Sequence, residues 1–497
     1  MQNLLTSAQL QKADIFTLQQ QGISSVELME RAAVGFVAAF KKAFPERKNN
    51  IAILCGRGNN GGDGLAIARL LTGDDYKHIK VYLVNFSAKQ SEDYTTSLER
   101  LTEKMIKSIN VSKAEDLKDL KADIVIDAVL GSGLNKPLAG EYATLASLVN
   151  SLKKTVVSVD VPTGFNAEGE IPIAYNGVRA DLAICFQQPK LNFFFPESVM
   201  ALDRFEVVDI GLDKDFITDQ PSDWKLITKA DIKHILKPRA NFTHKGTYGH
   251  ALLVAGNDTT MGAALLSASA CLHIGAGLTT VCLPKSGLVA LNSTLPEVMA
   301  LPRHEHLDIA AFEKFTTIAI GPGLGTEDEN EILLARLISL KKPLIADADA
   351  LNILAQRKDL LDDLAAQSIL TPHLKEFDRL FGVHQNWWER LITAQREART
   401  RHLVIVLKNQ YTFVCLPNGE VHINATGNPA MASGGMGDVL TGIIAGLVAQ
   451  SYPAETAAIL AVYLHGRAGD ELAKKSFTIN ASRLALQLPK TLRKILD

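Results

Sequence analysis

Ile51-Ala52-Ile53-Leu54-Cys55-Gly56-Arg57-Gly58-Asn59-Asn60-Gly61-Gly62-Asp63-Gly64 sets five apolar, β-type residues directly against a glycine-rich turn. An amphipathic stretch, residues 63–72, follows, so the segment reads as strand, turn and helix. The rhythm continues in short β-type runs at 81–84, 124–126 and 156–159, with residues 93–107 as a further helical stretch. Strands alternating with helices imply parallel βαβ units. The pattern closes near 207–210, and the polar stretch 213–223, with Pro221, reads as a linker. A second alternation starts at 251–254 and runs through 279–282, 317–320, 344–346 and 403–406. Two α/β sandwich domains are expected, each around a parallel sheet: residues 1–215 and 225–497, joined by a linker at 216–224.

A chain of 497 residues fits that count of domains. Hydrophobic residues make up 47% and charged residues 21%, which is enough apolar material for sizeable cores. The net charge of −2 leaves no basic footprint for nucleic acid and no polybasic membrane anchor. Cys55, Cys185, Cys271, Cys282 and Cys415 are widely spaced in apolar runs without a CxxC pair, so reduced core thiols are expected. The start, MQNLLTSAQLQKADIF, lacks the basic and apolar blocks of a signal peptide. The longest apolar run, near 439–449, is too short to span a bilayer. A reducing cytoplasm is the expected setting, and a homo-oligomer would suit the apolar faces that two sandwiches leave over.

Gly56, Gly58 and Gly61 satisfy GxGxxG, the dinucleotide fingerprint. That motif expects an acid closing the next strand. Here the run 81–84 ends in Asn85, while Asp74 and Asp75 precede it, which disfavours a hydride-transferring dehydrogenase. The paired asparagines and glycines are instead expected to form a backbone nest around phosphate. Asp127-Ala128-Val129-Leu130-Gly131-Ser132-Gly133-Leu134 and Asp160-Val161-Pro162-Thr163-Gly164 place further acids at strand ends. Any one such aspartate could simply cap a helix. Three glycine-acid turns at the carboxyl ends of parallel strands point to one shared pocket.

In the second half, Gly434-Gly435-Met436-Gly437-Asp438-Val439-Leu440-Thr441-Gly442 runs from a glycine turn into an apolar helix, with Asn428-Pro429 upstream. Amide groups at a helix start favour anionic oxygens, and a carboxylate there can take a proton from an attacking hydroxyl. Phosphoryl transfer to an alcohol is the chemistry this implies; the plain alternative is a tight turn with Asp438 as N-cap. Gly256-Asn257, Gly262-Ala263-Ala264, Gly321-Pro322-Gly323-Leu324-Gly325, Asp347-Ala348-Asp349 and Thr371-Pro372-His373 also lie beside strand-like runs.

The series GNNGGDG, DAVLGSG and DVPTG resembles the N-terminal domain of the YjeF family, the NAD(P)HX epimerases, over residues 5–215. The resemblance implies a Rossmann-like three-layer sandwich. It implies that Asn59, Asn60, Gly61, Gly62 and Asp63, with Gly131, Ser132, Gly133, Leu134, Asn135, Lys136 and Pro137, cradle the hydrated nucleotide. It assigns K⁺ to Asn60, Asp127 and Thr163, and substrate contact and proton transfer to Asp160. The order from Asn257 to GGMGD resembles the ribokinase-like ADP-dependent NAD(P)HX dehydratase over residues 225–497. It implies a ribokinase-like α/β/α sandwich in which Ala263, Gly323, His373 and Asp438 meet the hydrate. Lys408, Asn409, Gln410, Tyr411, Thr412 and Gly437 would meet ADP, with Mg²⁺ neutralising phosphate charge. Together the halves imply a bifunctional repair enzyme for hydrated NADH and NADPH.

Two departures stand out. The family usually continues TPH with Pro-Gly-Glu-Phe, where this chain has Leu374-Lys375-Glu376-Phe377, and it usually has glycine after the lysine, where this chain has Asn409-Gln410. Rival readings are a thiazole- or pyrimidine-type vitamin-precursor kinase fused to a nucleotide-binding domain, and a non-catalytic sensor of damaged cofactors. His304-Glu305-His306 reads as a surface loop rather than a zinc site, and Trp387-Trp388 as helix packing.

Overall fold

A computed structural model of the chain describes residues 1–74, 76–133, 136–303 and 309–497. The expected nucleotide contacts Leu134 and Asn135, and His304-Glu305-His306, lie outside the described residues. The chain divides into two compact units, one of Asn3–Ser222 with Asn386–Trp388, the other of Met1–Gln2, Asp223–Gln385 and Glu389–Asp497.

The first unit is Rossmann-like. Seven strands pair in parallel in the order Ser108–Val111, Ile79–Val84, Ile51–Cys55, Ile124–Ala128, Thr155–Val159, Leu182–Phe186 and Phe205–Val208. The chain builds outward from Ile51–Cys55 in one direction and then, from Ile124–Ala128, in the other. The carboxyl ends of these two neighbours form the topological switch point, where open α/β sheets leave a crevice. All five residues of each strand are buried, as expected of a strand covered on both faces.

The glycine segment is not the nest expected from its composition. Only residues 56–58 form the connection; Asn59–Gly73 is one helix, so Gly61, Gly62 and Gly64 are helical. Close approach explains them. A Cβ on Gly61 would stand 1.7 Å from the Gly56 carbonyl oxygen, and one on Gly56 would stand 2.0 Å from that of Val129. One on Gly64 would meet the Ala128 side chain at 2.6 Å. The glycines thus press the helix start into the switch point.

In the second unit the described strands lie in the order Trp224–Leu226, Val421–Asn424, Thr412–Cys415, Val404–Leu407, Ile369–Leu370, Leu344–Ala346, Thr317–Ile320, His250–Val254, Leu278–Leu283 and Met299–Pro302. This sheet is mixed, not parallel as expected. Thr412–Cys415 pairs antiparallel with both Val404–Leu407 and Val421–Asn424. The short connection after Leu407 cannot carry a crossover and can only turn back as a hairpin. Along His250–Val254 the residues alternate between two cores, Ala251 and Leu253 facing one and Leu252 and Val254 the other. The helix Met436–Ala449 packs against Met261–Ile274 through glycine: a Cβ on Gly442 would lie 2.1 Å from the Ser267 carbonyl oxygen. All five cysteines are buried and free. No helix among the described residues is long and apolar enough to cross a membrane.

Gly61→Ala is expected to cost about 3 kcal/mol of unfolding free energy in urea, because backbone has to move. Gly58→Ala, where a Cβ would meet nothing within 4 Å, should cost little by the same measurement.

Candidate active sites

At the switch point of the N-terminal sheet lies a cavity of about 360 Å³. Its wall takes Gly58, Asn59, Asn60 and Asp63 from the helix start, 129–133 from the next strand's end, and Asp160 from the third. The helix carries no side-chain cap at Gly58, so its first amides remain available to an anion. Of the expected nucleotide contacts, Asn59, Asn60, Asp63, Gly131, Ser132, Gly133 and Asp160 are brought together here. Gly61 and Gly62 are buried within the helix, and Lys136 and Pro137 are exposed away from the wall.

Asp160 holds φ of 64°, a left-handed backbone that turns its carboxylate off the strand end. Its Oδ1 accepts from the Lys190 ammonium at 2.7 Å and from the Phe186 amide at 3.2 Å. Burial works against the Lys190 charge, but Asp160 outweighs it and holds the ammonium above its ordinary value. Asp63 is pushed well above its ordinary 3.8 by burial and then by Asp160, Asp14 and Asp93. Behind the wall, Asp127 is fully buried and accepts from Thr163 N at 2.8 Å, Thr163 Oγ1 at 2.6 Å and Ser158 Oγ at 2.9 Å. Those donors are neutral, and burial leaves its carboxyl raised.

The C-terminal unit gathers its groups at the carboxyl ends of its central strands. Asp347, just after Leu344–Ala346, pairs with Lys408 Nζ at 2.8 Å and accepts from Thr441 Oγ1 at 2.7 Å. Despite burial, Lys408 and these hydrogen bonds hold Asp347 below its ordinary value. Lys408 also stands 3.9 Å from Glu376, which accepts from the amide of His373 at 2.8 Å and lies 3.4 Å from His373 Nε2. His373 caps the helix Leu374–Phe381, its Nδ1 accepting from the Lys375 and Glu376 amides while Glu376 caps in return. This reciprocal box preserves the helix start although Leu374-Lys375 replaces the usual Pro-Gly.

Asp438 is not the N-cap. That position is Gly435, at φ of 87°, where a Cβ would strike Leu266 at 2.5 Å; Asp438 follows in the helix's first turn. No side chain caps this helix. Burial, with Asp347 adding and Lys408 opposing, pushes the Asp438 carboxyl up from 3.8 to about 6. A cavity of about 450 Å³ adjoins it, walled by Lys408, Asn409, Gln410, Thr412 and Gly437, with Asn428 and His465 opposite in sequence. Tyr411 does not line it. Gly323, at φ of 58°, meets Thr260 and Ala263, whose Cβ would lie 3.0 Å from one on the glycine.

Residues 25–192 match the family described as YjeF-related protein N-terminus, and residues 251–490 match NAD(P)H-hydrate dehydratase. A bifunctional NAD(P)H-hydrate repair enzyme of Moorella thermoacetica is 35% identical over 493 residues, 95% of this chain and 93% of that protein. The chain belongs to the bifunctional NAD(P)H-hydrate repair enzyme family. Its relative of that name in Escherichia coli K12 is 31% identical over 480 residues, 96% of this chain and 90% of that protein. A solved ribokinase-like superfamily protein of Enterococcus faecalis V583 is 30% identical with a TM-score of 0.51, covering 56% of this chain and 98% of that one. The C-terminal sheet is thus ribokinase-like.

Four charged groups of this family member went unassigned from sequence: Asp14, Lys190, Asp347 and Glu376. Asp347 follows a buried strand just as Asp160 does; the sequence marks that place but gives it no role. Lys190 stands shortly after Leu182–Phe186, the strand next to that of Asp160. Asp14 lies on the helix Ser7–Gln21, which carries no motif.

Lys408→Met leaves Asp347 buried without its cation, and about 3–5 kcal/mol of stability should be lost at neutral pH. In the wild type the folded chain holds Asp347 below 3.8, so the pair's stabilisation is present above 3.8 and lost as pH falls through the lower value of the folded chain. The deficit of Lys408→Met in urea unfolding should therefore shrink on acidification.

Proposed function

We propose that the N-terminal unit interconverts the R and S epimers of hydrated NADH and NADPH, and that the C-terminal unit dehydrates the S epimer with ADP. The products are NAD(P)H, AMP and phosphate. The observation that carries the reading is Asp438, a carboxylate in the first turn of an uncapped helix, beside the Asp347–Lys408 pair and a cavity suited to a nucleotide. Asp438 takes the proton of the hydrate's hydroxyl as its oxygen attacks the terminal phosphorus of ADP. The amides of Gly435 to Gly437 and the Lys408 ammonium stabilise the charge on the transferring group, and AMP leaves. Phosphate then departs from the ring carbon as a neighbouring C–H proton is lost, which restores the dihydropyridine. A vitamin-precursor kinase would leave the N-terminal cavity without a task.

In the N-terminal unit Asn60, Asp127 and Thr163 suit a monovalent cation. The buried Asp127 carboxylate meets only neutral donors, and the buried amide nitrogen of Asn60 has no hydrogen-bond partner, so this amide is free to turn its oxygen toward a cation. K⁺ would supply the counter-charge that Asp127 otherwise lacks and fix the turn beneath the cavity. Mg²⁺ would arrive with the diphosphate, which together with water supplies most of its ligands.

Recovery of dihydronicotinamide absorbance from mixed hydrated NADPH, with ADP, Mg²⁺ and K⁺, tests both activities. Complete recovery with release of AMP and phosphate is expected; recovery of the S fraction alone would refute the epimerase half. Asp438→Asn should abolish dehydration and spare epimerisation, and Asp160→Asn should do the reverse. As the base must be ionised, dehydration should fall as pH drops through about 6. The raised Asp438 value means that its contribution to folding is present below 3.8 and lost as pH rises through about 6. Asp438→Asn should therefore raise the Tm at pH 8 while removing activity.

A further inference from the structure

The N-terminal cavity holds one more carboxyl group than the reading above uses. Asp14 sits on the helix Ser7–Gln21 between buried Ala13 and the exposed side of that helix, and its side chain lines the cavity that Asp160 also lines. Among the described residues it makes no hydrogen bond and no ion pair. Asp160 is in a different position. Its Oδ1 is committed to Lys190 and to the Phe186 amide, whereas its Oδ2 accepts no hydrogen bond among the described residues.

The chemistry asks for two such groups. The dihydropyridine is an enamine, so its hydrate carries the hydroxyl on the ring carbon bonded to nitrogen. Inversion begins when an acid protonates that hydroxyl. The C–O bond breaks with its electron pair leaving as water, while the nitrogen lone pair forms the C=N bond of an iminium. Water then adds to the opposite face, the C=N pair returns to nitrogen, and a base removes the surplus proton. One water leaves, one enters, and one proton passes from the acid to the base. A single carboxylate already tied to a lysine is poorly placed to do both.

We propose that Asp14 is the second proton-transfer residue of the epimerase, giving a proton to the departing hydroxyl while Asp160 Oδ2 receives one from the entering water. The opposite conversion exchanges the two roles. The proposal rests on the epimerase reading of this unit. Burial, with Asp160 adding and Lys190 opposing, pushes Asp14 up from 3.8 to about 6, so both of its protonation states are populated near neutrality. Asp63 on the same wall and Asp93, which lines an adjoining cavity with Asp14 and Asp63, are further carboxyl neighbours, and burial pushes Asp63 well above 3.8.

The test uses the full chain with R-enriched hydrated NADPH and K⁺, without ADP, and follows loss of the R epimer by chromatography. Asp14→Asn should lower kcat about 100-fold or more with little change in KM. Asp14→Glu should restore part of the rate, and the inflection near pH 6 in the wild-type profile should disappear in Asp14→Asn. Thermal unfolding of the same preparations, compared with the wild type, reports that the N-terminal unit is folded. An Asp14→Asn variant that epimerises at close to the wild-type rate overturns the proposal while the epimerase reading stands. So does a loss confined to KM that Asp14→Glu does not repair. A wild-type chain that fails to epimerise overturns the reading and the proposal together.

Discussion

A carboxylate set just past the end of a buried strand stays charged only if a cation is buried with it. Both units are organised around that constraint. In one, Asp160 meets Lys190 at 2.7 Å with side-chain exposures of 13% and 4%; in the other, Asp347 meets Lys408 at 2.8 Å with exposures of 2% and 20%. A pair this deep gives little net stability against an apolar substitute, but loss of one partner is costly. The expense is reasonable only where a fixed charge is wanted, and each pair stands beside a cavity at the carboxyl end of a parallel sheet. Around the pairs, backbone is held in left-handed conformations at Asp160 and Ala348, residues that would not choose them freely.

The constraint also sorts the other acids. With a cation already committed, Asp438 beside the Asp347–Lys408 pair meets burial and a like charge, and its carboxyl rises to about 6. Glu376, close to the same lysine, is raised by burial as well. His465, buried against the cavity wall with Nε2 donating to the Met436 carbonyl, is held neutral, its value lowered to about 4. The acids without a private counter-ion are those pushed upward, and the paired ones set the field in which they titrate.

Much of this was legible in the sequence because it is local. A buried strand closed by an acid near glycine occupies one short window, and Asp127 and Asp160 were found that way; Asp438 was found from a glycine turn that runs into an apolar helix. What the glycines do was not legible. Gly56, Gly61 and Gly64 look like a flexible loop but serve contacts with Val129, Gly56 and Ala128, two of them far along the chain. The cations escaped for a related reason: Lys190 is thirty residues from Asp160 in number, joined to it only by the adjacency of two strands. Asp14 had still less to mark it, since a lone acid on a helix that buries only Ala13 and Thr17 is ordinarily a solvated one. The reversal at 407–412 lay beyond the strand runs read from the sequence, which ended at 403–406, so the expected sheet was parallel throughout.

The two reactions place different demands on their acids, and the sites differ accordingly. Dehydration is driven by cleavage of a phosphoanhydride, so it needs one base and a positive field for the phosphoryl group. On the reading proposed above, Asp438, the helix start at Gly435 and Lys408 serve those needs. Epimerisation has no such drive and runs both ways between species of nearly equal energy. Its proton donor in one direction is its acceptor in the other, and a group suited to both must titrate close to the working pH. The N-terminal cavity accordingly concentrates carboxyl groups around one lysine, whereas the C-terminal cavity is walled mostly by amides, hydroxyls and glycines. The contrast follows from what each site has to move: protons in the first, a phosphoryl group in the second.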